Sequence, residues 1–126
     1  MKQVELEITS EASGFLREAI AQAGGNEVYF LGKVRWDESQ AVASLVEVEV
    51  FARGNNVSAP AILAGAESWD LAIHNHPSGD LQPSQADLAV ASELGNRQVG
   101  FVIIDNEAMR NYLVVKPFVR DEHQPV

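Results

Sequence analysis

A chain of 126 residues, of which 46% are hydrophobic, is long enough for one folded domain and too short for two. Its 18 acidic residues outnumber 9 basic ones, and the formal net charge of −9 disfavours direct binding to nucleic-acid phosphates. Because the chain has no cysteine, disulfides, thiolate metal sites and cysteine nucleophiles are excluded.

The hydrophobic residues occur in short runs. Residues 1–7 lack the apolar core of a signal peptide. No apolar run approaches the roughly 20 residues that are needed to span a bilayer. We therefore expect a cytoplasmic protein without membrane contact, and the acidic charge favours a basic or partly basic protein partner.

The first half of the chain predicts a strand, a helix and a long hairpin. Apolar and acidic residues alternate over 4–8, which is typical of a half-buried strand. Ser10 is placed to cap a helix over 11–23. The strand-like segments 27–36 and 41–52 flank a polar turn and predict an antiparallel pair.

The second half alternates helices with short strands. The pattern predicts a helix over 60–68, a strand over 69–73, a helix over 84–94 and strands over 99–104 and 111–115. Because the strands include a hairpin, the sheet of this α/β chain should be mixed. The predicted domain covers 1–116, and the polar segment 117–126 is predicted to be a tail or the start of a linker.

Two of the three histidines, His74 and His76, follow an apolar stretch and are separated by one residue. In an extended segment such residues point to the same side, so both imidazoles could reach one metal ion. Asp87, at the start of a predicted helix, would add a carboxylate. Zinc accepts this ligand set, and three protein ligands leave a fourth position for water. A polar loop without metal remains the alternative.

Ser84, Asp87 and Glu27 each have a structural interpretation as well. Ser84 and Asp87 have the spacing of a helix capping box, which is compatible with a metal role for Asp87. Glu27 begins an apolar strand, where a charge is poorly placed for packing. It is a candidate general base for hydrolysis at a metal, or an ordinary surface residue.

Taken together, these residues resemble the motif of the JAMM metalloprotease family, also called MPN or JAB. The motif is a glutamate on an early strand, then His-x-His, then Ser-x-x-Asp. The sequence from His74 to Gly79, His-Asn-His-Pro-Ser-Gly, is similar to that of the bacterial RadC-type branch. The resemblance covers about 27–115. It implies a cytidine-deaminase-like α/β sandwich with a mixed sheet and flanking helices.

The resemblance also implies roles for the matching residues. His74, His76 and Asp87 would bind zinc, whose water would be the nucleophile. Glu27 would act as general base and then general acid, and Ser84 would help to hold the oxyanion. The implied function is that of a zinc metallopeptidase or isopeptidase. Its substrate would be an amide bond, in a peptide or near the C-terminal tail of a ubiquitin-like or sulfur-carrier protein.

Two other functions stay open at this point. The chain could be a RadC-like accessory domain of a DNA-repair or genome-maintenance protein, as the N-terminal part of a longer chain that continues past Val126. It could also be a metal-free interaction module. The sequence leaves the oligomeric state open.

Some further residues are candidates for lining a cleft or for packing. Asn55, Asn56, Ser78 and Asp80 are candidates for the lining of the cleft. Trp36 and Trp69 are predicted to be packing residues rather than platforms for a substrate.

Overall fold

Six strands and three helices form the part of the chain that the computed structural model describes, which comprises residues 5–37, 42–54 and 59–118. In chain order the elements are β1 (Glu5–Ile8), α1 (Ser10–Gln22), β2 (Val28–Asp37), β3 (Val42–Arg53), α2 (Ala59–Gly65), a 3₁₀ turn (Ala66–Ser68), β4 (Leu71–Asn75), α3 (Gln85–Asn96), β5 (Gly100–Ile104) and β6 (Asn111–Val115).

The strands pair into one mixed sheet in the order β1-β3-β2-β4-β5-β6. β2 and β3 form the predicted antiparallel hairpin. β4 lies between β2, to which it is antiparallel, and β5, to which it is parallel. β1 pairs parallel with β3, and β6 pairs antiparallel with β5. The prediction of an α/β fold with a mixed sheet and flanking helices is therefore confirmed.

Helices cover both faces of this sheet. Leu16 and Ile20 of α1 pack against one face, where they meet Leu71 and Ile73 of β4. The opposite face is covered by α2 and α3, and its core residues include Ile62, Ala72, Leu94 and Phe101. Since alternate residues of a strand point to opposite faces, β4 contributes to both cores.

Several element boundaries differ from the predicted ones. The cap of α1 is Thr9 and not Ser10, because Thr9 is extended and its Oγ1 accepts a hydrogen bond from the Ala12 nitrogen at 3.2 Å. β2 begins one residue after Glu27. β4 continues to Asn75 instead of ending at Ile73, because β5 pairs with it over its whole length.

Gly65 explains why the predicted helix over 60–68 is shorter. α2 ends at this glycine and a 3₁₀ turn follows. A Cβ atom on Gly65 would collide with the ring of Phe51, so the close approach of α2 to β3 favours a residue without a side chain. Trp36 and Trp69 are half-buried against the two cores, as predicted.

The predicted boundary after Lys116 stays a prediction. Pro117 is buried and Phe118 is half-buried, while residues 119–126 lie outside the described residues. Asn55 and Asn56, two of the candidates for the cleft, also lie outside them. Among the helices of the described ranges, none is long and apolar enough to cross a membrane.

Candidate metal centre

The end of β4 and the start of α3 bring the predicted metal ligands together. His74 lies in β4 and is paired with Tyr29 of β2 and Ile103 of β5. The backbone nitrogen of His76 donates to the Ile104 carbonyl oxygen at 3.0 Å, which holds this residue beside the end of β5. Asp87 lies in the first turn of α3. Each ligand is therefore carried by regular structure or tied to it.

The carboxylate of Asp87 lies between the two imidazoles. Its Oδ1 is 3.0 Å from Nε2 of His74, and its Oδ2 is 3.0 Å from Nε2 of His76. His74 and Asp87 are buried, and the candidate ligand atoms of the three residues lie within 4.8 Å of one another. Two imidazole nitrogens and a carboxylate at this spacing could hold a metal ion.

The hydrogen bonds of His76 test whether a cation fits here. Its Nδ1 is 2.7 Å from the carbonyl oxygen of Asp80, which can only accept, and its Nε2 faces the Asp87 carboxylate. A neutral imidazole has one N–H, so two facing acceptors require either a second proton or a cation at Nε2. Outer hydrogen bonds from Nδ1 to a carbonyl are typical of metal-bound histidine. The donor set therefore fits a metal.

His74 adds a second indication. Its Nδ1 is buried and has no hydrogen-bond partner within the described ranges, while Nε2 faces Asp87. Buried polar atoms without partners are rare, because their desolvation is not compensated. Nδ1 instead faces Glu27, whose Oε2 is 3.8 Å away. A metal at Nε2 would require the tautomer with N–H at Nδ1, and this N–H would face a carboxylate.

The capping interpretation of Ser84 and Asp87 is correct and is compatible with the candidate metal site. The Asp87 nitrogen donates to Ser84 Oγ at 3.0 Å, and the Ser84 nitrogen donates to Asp87 Oδ2 at 2.9 Å. Burial alone would raise the pKa of Asp87. The hydrogen bonds from His74 and Ser84 outweigh this effect, so the pKa lies well below its usual range. Asp87 is therefore ionised at neutral pH and rigidly held.

Aromatic rings hold the imidazole of His74 in place. The Tyr29 ring is stacked on it with a centroid distance of 4.5 Å, and Phe101 lies parallel to it at 6.0 Å. Burial, together with the negative charges of Asp87 and Glu27, raises the pKa of Tyr29 to about 12. Sequence reasoning missed Tyr29 because a tyrosine in an apolar strand is typical of a core residue.

Glu27 shares a cleft with the three candidate ligands. This cleft has a volume of about 480 Å³ and is lined by Glu27, Tyr29, His74, His76, Pro77, Ser78, Ser84, Ala86 and Asp87. The Glu27 side chain is 31% exposed. All five residues that the motif singled out, and the candidate Ser78, thus lie around one opening. Asp80 does not line it and supports His76 from behind through its carbonyl group.

A brace that sequence reasoning also missed supports the loop after His76. The Arg110 guanidinium donates to the Gly79 carbonyl oxygen at 2.7 Å and to Asp105 Oδ2 at 3.4 Å. Burial tends to raise the pKa of Asp105, but hydrogen bonds from Arg110 and Met109 lower it. The turn after β5 therefore holds the segment that supplies the partner of His76.

Comparison with known proteins identifies the family. The model of the RadC-like JAB domain family matches residues 33–105, which is more than half of the chain. No functionally curated protein matches the sequence. The chain belongs to the RadC-like JAB domain family, and the predicted resemblance is confirmed. The matched stretch includes the two histidines, Ser84 and Asp87 but begins after Glu27.

Solved structures that are similar to this chain include the following two. The solution structure of protein DSY2949 from Desulfitobacterium hafniense has a TM-score of 0.59 at 18% identity. This similarity covers 92% of this chain and 86% of that one. The crystal structure of AF2198, a JAB1/MPN domain protein from Archaeoglobus fulgidus, has a TM-score of 0.49 at 18% identity, with 90% of this chain and 94% of that one covered.

Proposed function

We propose that the protein is a zinc-dependent hydrolase of amide bonds. The observation that carries this proposal is the convergence of His74, His76 and Asp87 on one point of a cleft that also contains Glu27. Ligands, a candidate base and space for a substrate then occur together. A capping box alone would account for Ser84 and Asp87, but not for two histidines that face the same carboxylate.

Zinc is the metal that this ligand set favours. Imidazole and carboxylate ligands suit it, and three protein ligands correspond to catalytic rather than structural zinc sites. When bound, zinc lowers the pKa of water toward about 7 and polarises a substrate carbonyl group. The chain's own residues then have to bind the substrate and move the protons.

Glu27 is the proposed proton acceptor. Amide hydrolysis requires a group that takes a proton from water and gives it to the leaving nitrogen, and a carboxylate at the cleft can do both. Its 31% exposure leaves it accessible from the opening. Ser84 lies on the same cleft, where its hydroxyl would donate to the oxyanion of the tetrahedral intermediate.

The proposed substrate is an extended segment of a protein, such as the C-terminal tail of a ubiquitin-like or sulfur-carrier protein. The cleft is a groove at the surface rather than an enclosed cavity, so it suits a chain that passes across it. A net charge of −9 favours the encounter with a basic or partly basic partner.

The first experiment measures the zinc content of protein purified without chelator. We expect near-stoichiometric zinc in the wild type and a large loss in Asp87→Ala, which removes a ligand. Ser84→Ala is the matched control because it also breaks the capping box but removes no ligand. It should keep zinc while losing about 1 kcal/mol of stability. Little zinc in every protein, even after zinc is supplied, would contradict the proposal.

The second experiment separates metal binding from turnover. Glu27→Gln should retain zinc and lower the rate of amide hydrolysis by roughly 10²–10⁴-fold, the usual contribution of a positioned acid–base group. Fusions of ubiquitin-like proteins to C-terminal peptides serve as substrates. Glu93→Gln, an exposed change on α3, is the control. Unchanged turnover in Glu27→Gln would remove Glu27 from the mechanism.

A further inference from the structure

Asn75, the residue between the two histidines, is fully buried and uses its whole amide group. Its Oδ1 accepts from the Val28 nitrogen at 2.8 Å. Its Nδ2 donates to the carbonyl oxygen of Asn26 at 3.2 Å and to Oδ1 of Asn106 at 2.7 Å. One acceptor and two donors are thus satisfied by three partners in two other segments of the chain.

Two of these partners flank Glu27. The pairing of β2 with β4 ends at Tyr29 and His74, so this ladder does not reach Glu27, whose carbonyl oxygen accepts from the nitrogen of Gly54, directly after β3, at 2.9 Å. The Asn75 side chain accepts the next hydrogen bond beyond that end, from the Val28 nitrogen, and donates a second one to the Asn26 carbonyl oxygen on the other side of Glu27. Asn106 supports the same segment, because its Nδ2 donates to the Gly25 carbonyl oxygen at 3.0 Å.

We infer that Asn75 is a positioning residue that holds the segment carrying Glu27 against β4, the strand that carries His74. The inference rests on the proposed function, in which Glu27 exchanges protons at the metal site. His74 points to one face of β4 and Asn75 to the other. β4 therefore carries the candidate ligand His74 on one face, and on the other face it carries Asn75, which supports the segment of the proposed base.

The chemistry of the three bonds requires an amide at this position. An aspartate would keep the acceptor for Val28 but would place a carboxylate against the Asn26 carbonyl oxygen and Asn106 Oδ1. A rotation of the Asn106 amide would provide a donor, but its oxygen would then face the Gly25 carbonyl oxygen. A serine offers one donor where two are used. Loss of the amide should therefore release the segment without touching a metal ligand.

The first test needs no turnover. Amide hydrogen exchange is measured at Val28 and at Phe30, which lies further inside β2, together with zinc content. In Asn75→Ala we expect exchange at Val28 to accelerate about tenfold or more, since a buried donor loses its partner. Exchange at Phe30 and zinc content should stay at wild-type levels. Asn111→Ala, an exposed asparagine on β6, is the control.

The outcomes of this test are distinct. Unchanged protection of Val28 in Asn75→Ala would overturn the inference. Equal acceleration at Val28 and Phe30 would overturn it as well, because it would indicate a general loss of stability. Asn106→Ala, which removes one of the three bonds, should accelerate exchange at Val28 less than Asn75→Ala does.

The second test concerns turnover by the zinc-loaded protein. Asn75→Ala should lower kcat by roughly 10–100-fold with little change in KM, because misplacing a reacting group by about 1 Å has an effect of this size. In a Glu27→Gln background the same change should add little. Independent losses that multiply would overturn the inference. If the zinc-loaded wild type hydrolyses no amide, the proposed function and the effect on kcat both fail, whereas the exchange result still decides whether Asn75 holds the segment.

Discussion

Two adjacent residues of β4, His74 and Asn75, are both buried and polar but differ in how far their hydrogen bonds are satisfied. Asn75 points to the face of the sheet that α1 covers, and each polar atom of its side chain has a partner. His74 points to the face that α3 covers, and its Nδ1 has none within the described ranges. The buried amide of Asn75 has all its hydrogen bonds and holds neighbouring segments together. The buried imidazole of His74 lies next to carboxylates and lacks a hydrogen bond at Nδ1 among the described residues, which is more typical of a ligand site than of a core residue.

The largest expected effect is a loss of stability caused by a change on the α1 face, which should leave zinc binding on the opposite face unchanged. Ile73, between Ala72 and His74, is fully buried on the α1 face. Ile73→Ala should lower the free energy of unfolding by about 2–5 kcal/mol, since it creates a cavity in a packed core. Urea denaturation in the presence of chelator measures this.

The folded fraction of Ile73→Ala should still bind zinc as the wild type does, because the ligands lie on the opposite face. Ile73→Val is the matched smaller change, with an expected loss of about 0.5–1.5 kcal/mol. A loss of zinc affinity without a loss of stability would contradict the division between the two faces.

A smaller effect is the difference in stability between two Gly→Ala changes, one in α1 and one in α2, which cover opposite faces of the sheet. At Gly14 in α1, a Cβ atom would contact only the end of the Arg17 side chain, at 3.9 Å. Gly14→Ala should therefore stabilise the protein by up to about 1 kcal/mol through helix propensity. At Gly65 a Cβ atom would collide with the Phe51 ring, so Gly65→Ala should destabilise by about 1–3 kcal/mol despite the same gain. Thermal unfolding of the two variants measures the contrast. Equal shifts would contradict it.

The smallest effect is the acid dependence that Asp105 contributes. The pKa of Asp105 is lowered in the folded state. The stability that its ionised carboxylate contributes is therefore complete above the pKa of an aspartate in the unfolded chain, about 4. The stabilisation is lost as the pH falls from there through the lower pKa of the folded state. The slope is at most about 1.4 kcal/mol per pH unit for one group.

Asp105→Asn tests this dependence in metal-free protein. The variant should be less stable than the wild type at pH 7, because the charge that accepts from Arg110 is removed. Its stability should fall less steeply below pH 4, so the two curves of unfolding free energy should converge in acid. Parallel curves would indicate that Asp105 does not titrate in this range.

Local patterns in the sequence were sufficient for much of this molecule. The alternation in β1, the hairpin of β2 and β3 and the Ser84 cap of α3 follow from side-chain period and capping chemistry, which act within a few residues. The motif brought Glu27, His74, His76, Ser84 and Asp87 together before any geometry was known. Their catalytic roles stay predictions, as does the accessory role in DNA repair.

Features that depend on distant pairing could not be predicted. Histidine and asparagine are not typical strand residues, so β4 was expected to end at Ile73. It continues because β2 and β5 supply backbone partners on both sides. The ring of Tyr29 on His74, the brace by Arg110 and the bonds of Asn75 to the Glu27 segment depend in the same way on strand order, which no local pattern contains.

The placement of the ligands along the chain has a consequence for the entropy of forming the site. The three candidate ligands all lie within residues 74–87, so closing the loop that joins them costs little chain entropy. Glu27 joins them only when β2 has paired with β4, across a much longer stretch of chain. Bringing the three candidate ligands together therefore costs less chain entropy than adding Glu27 to them.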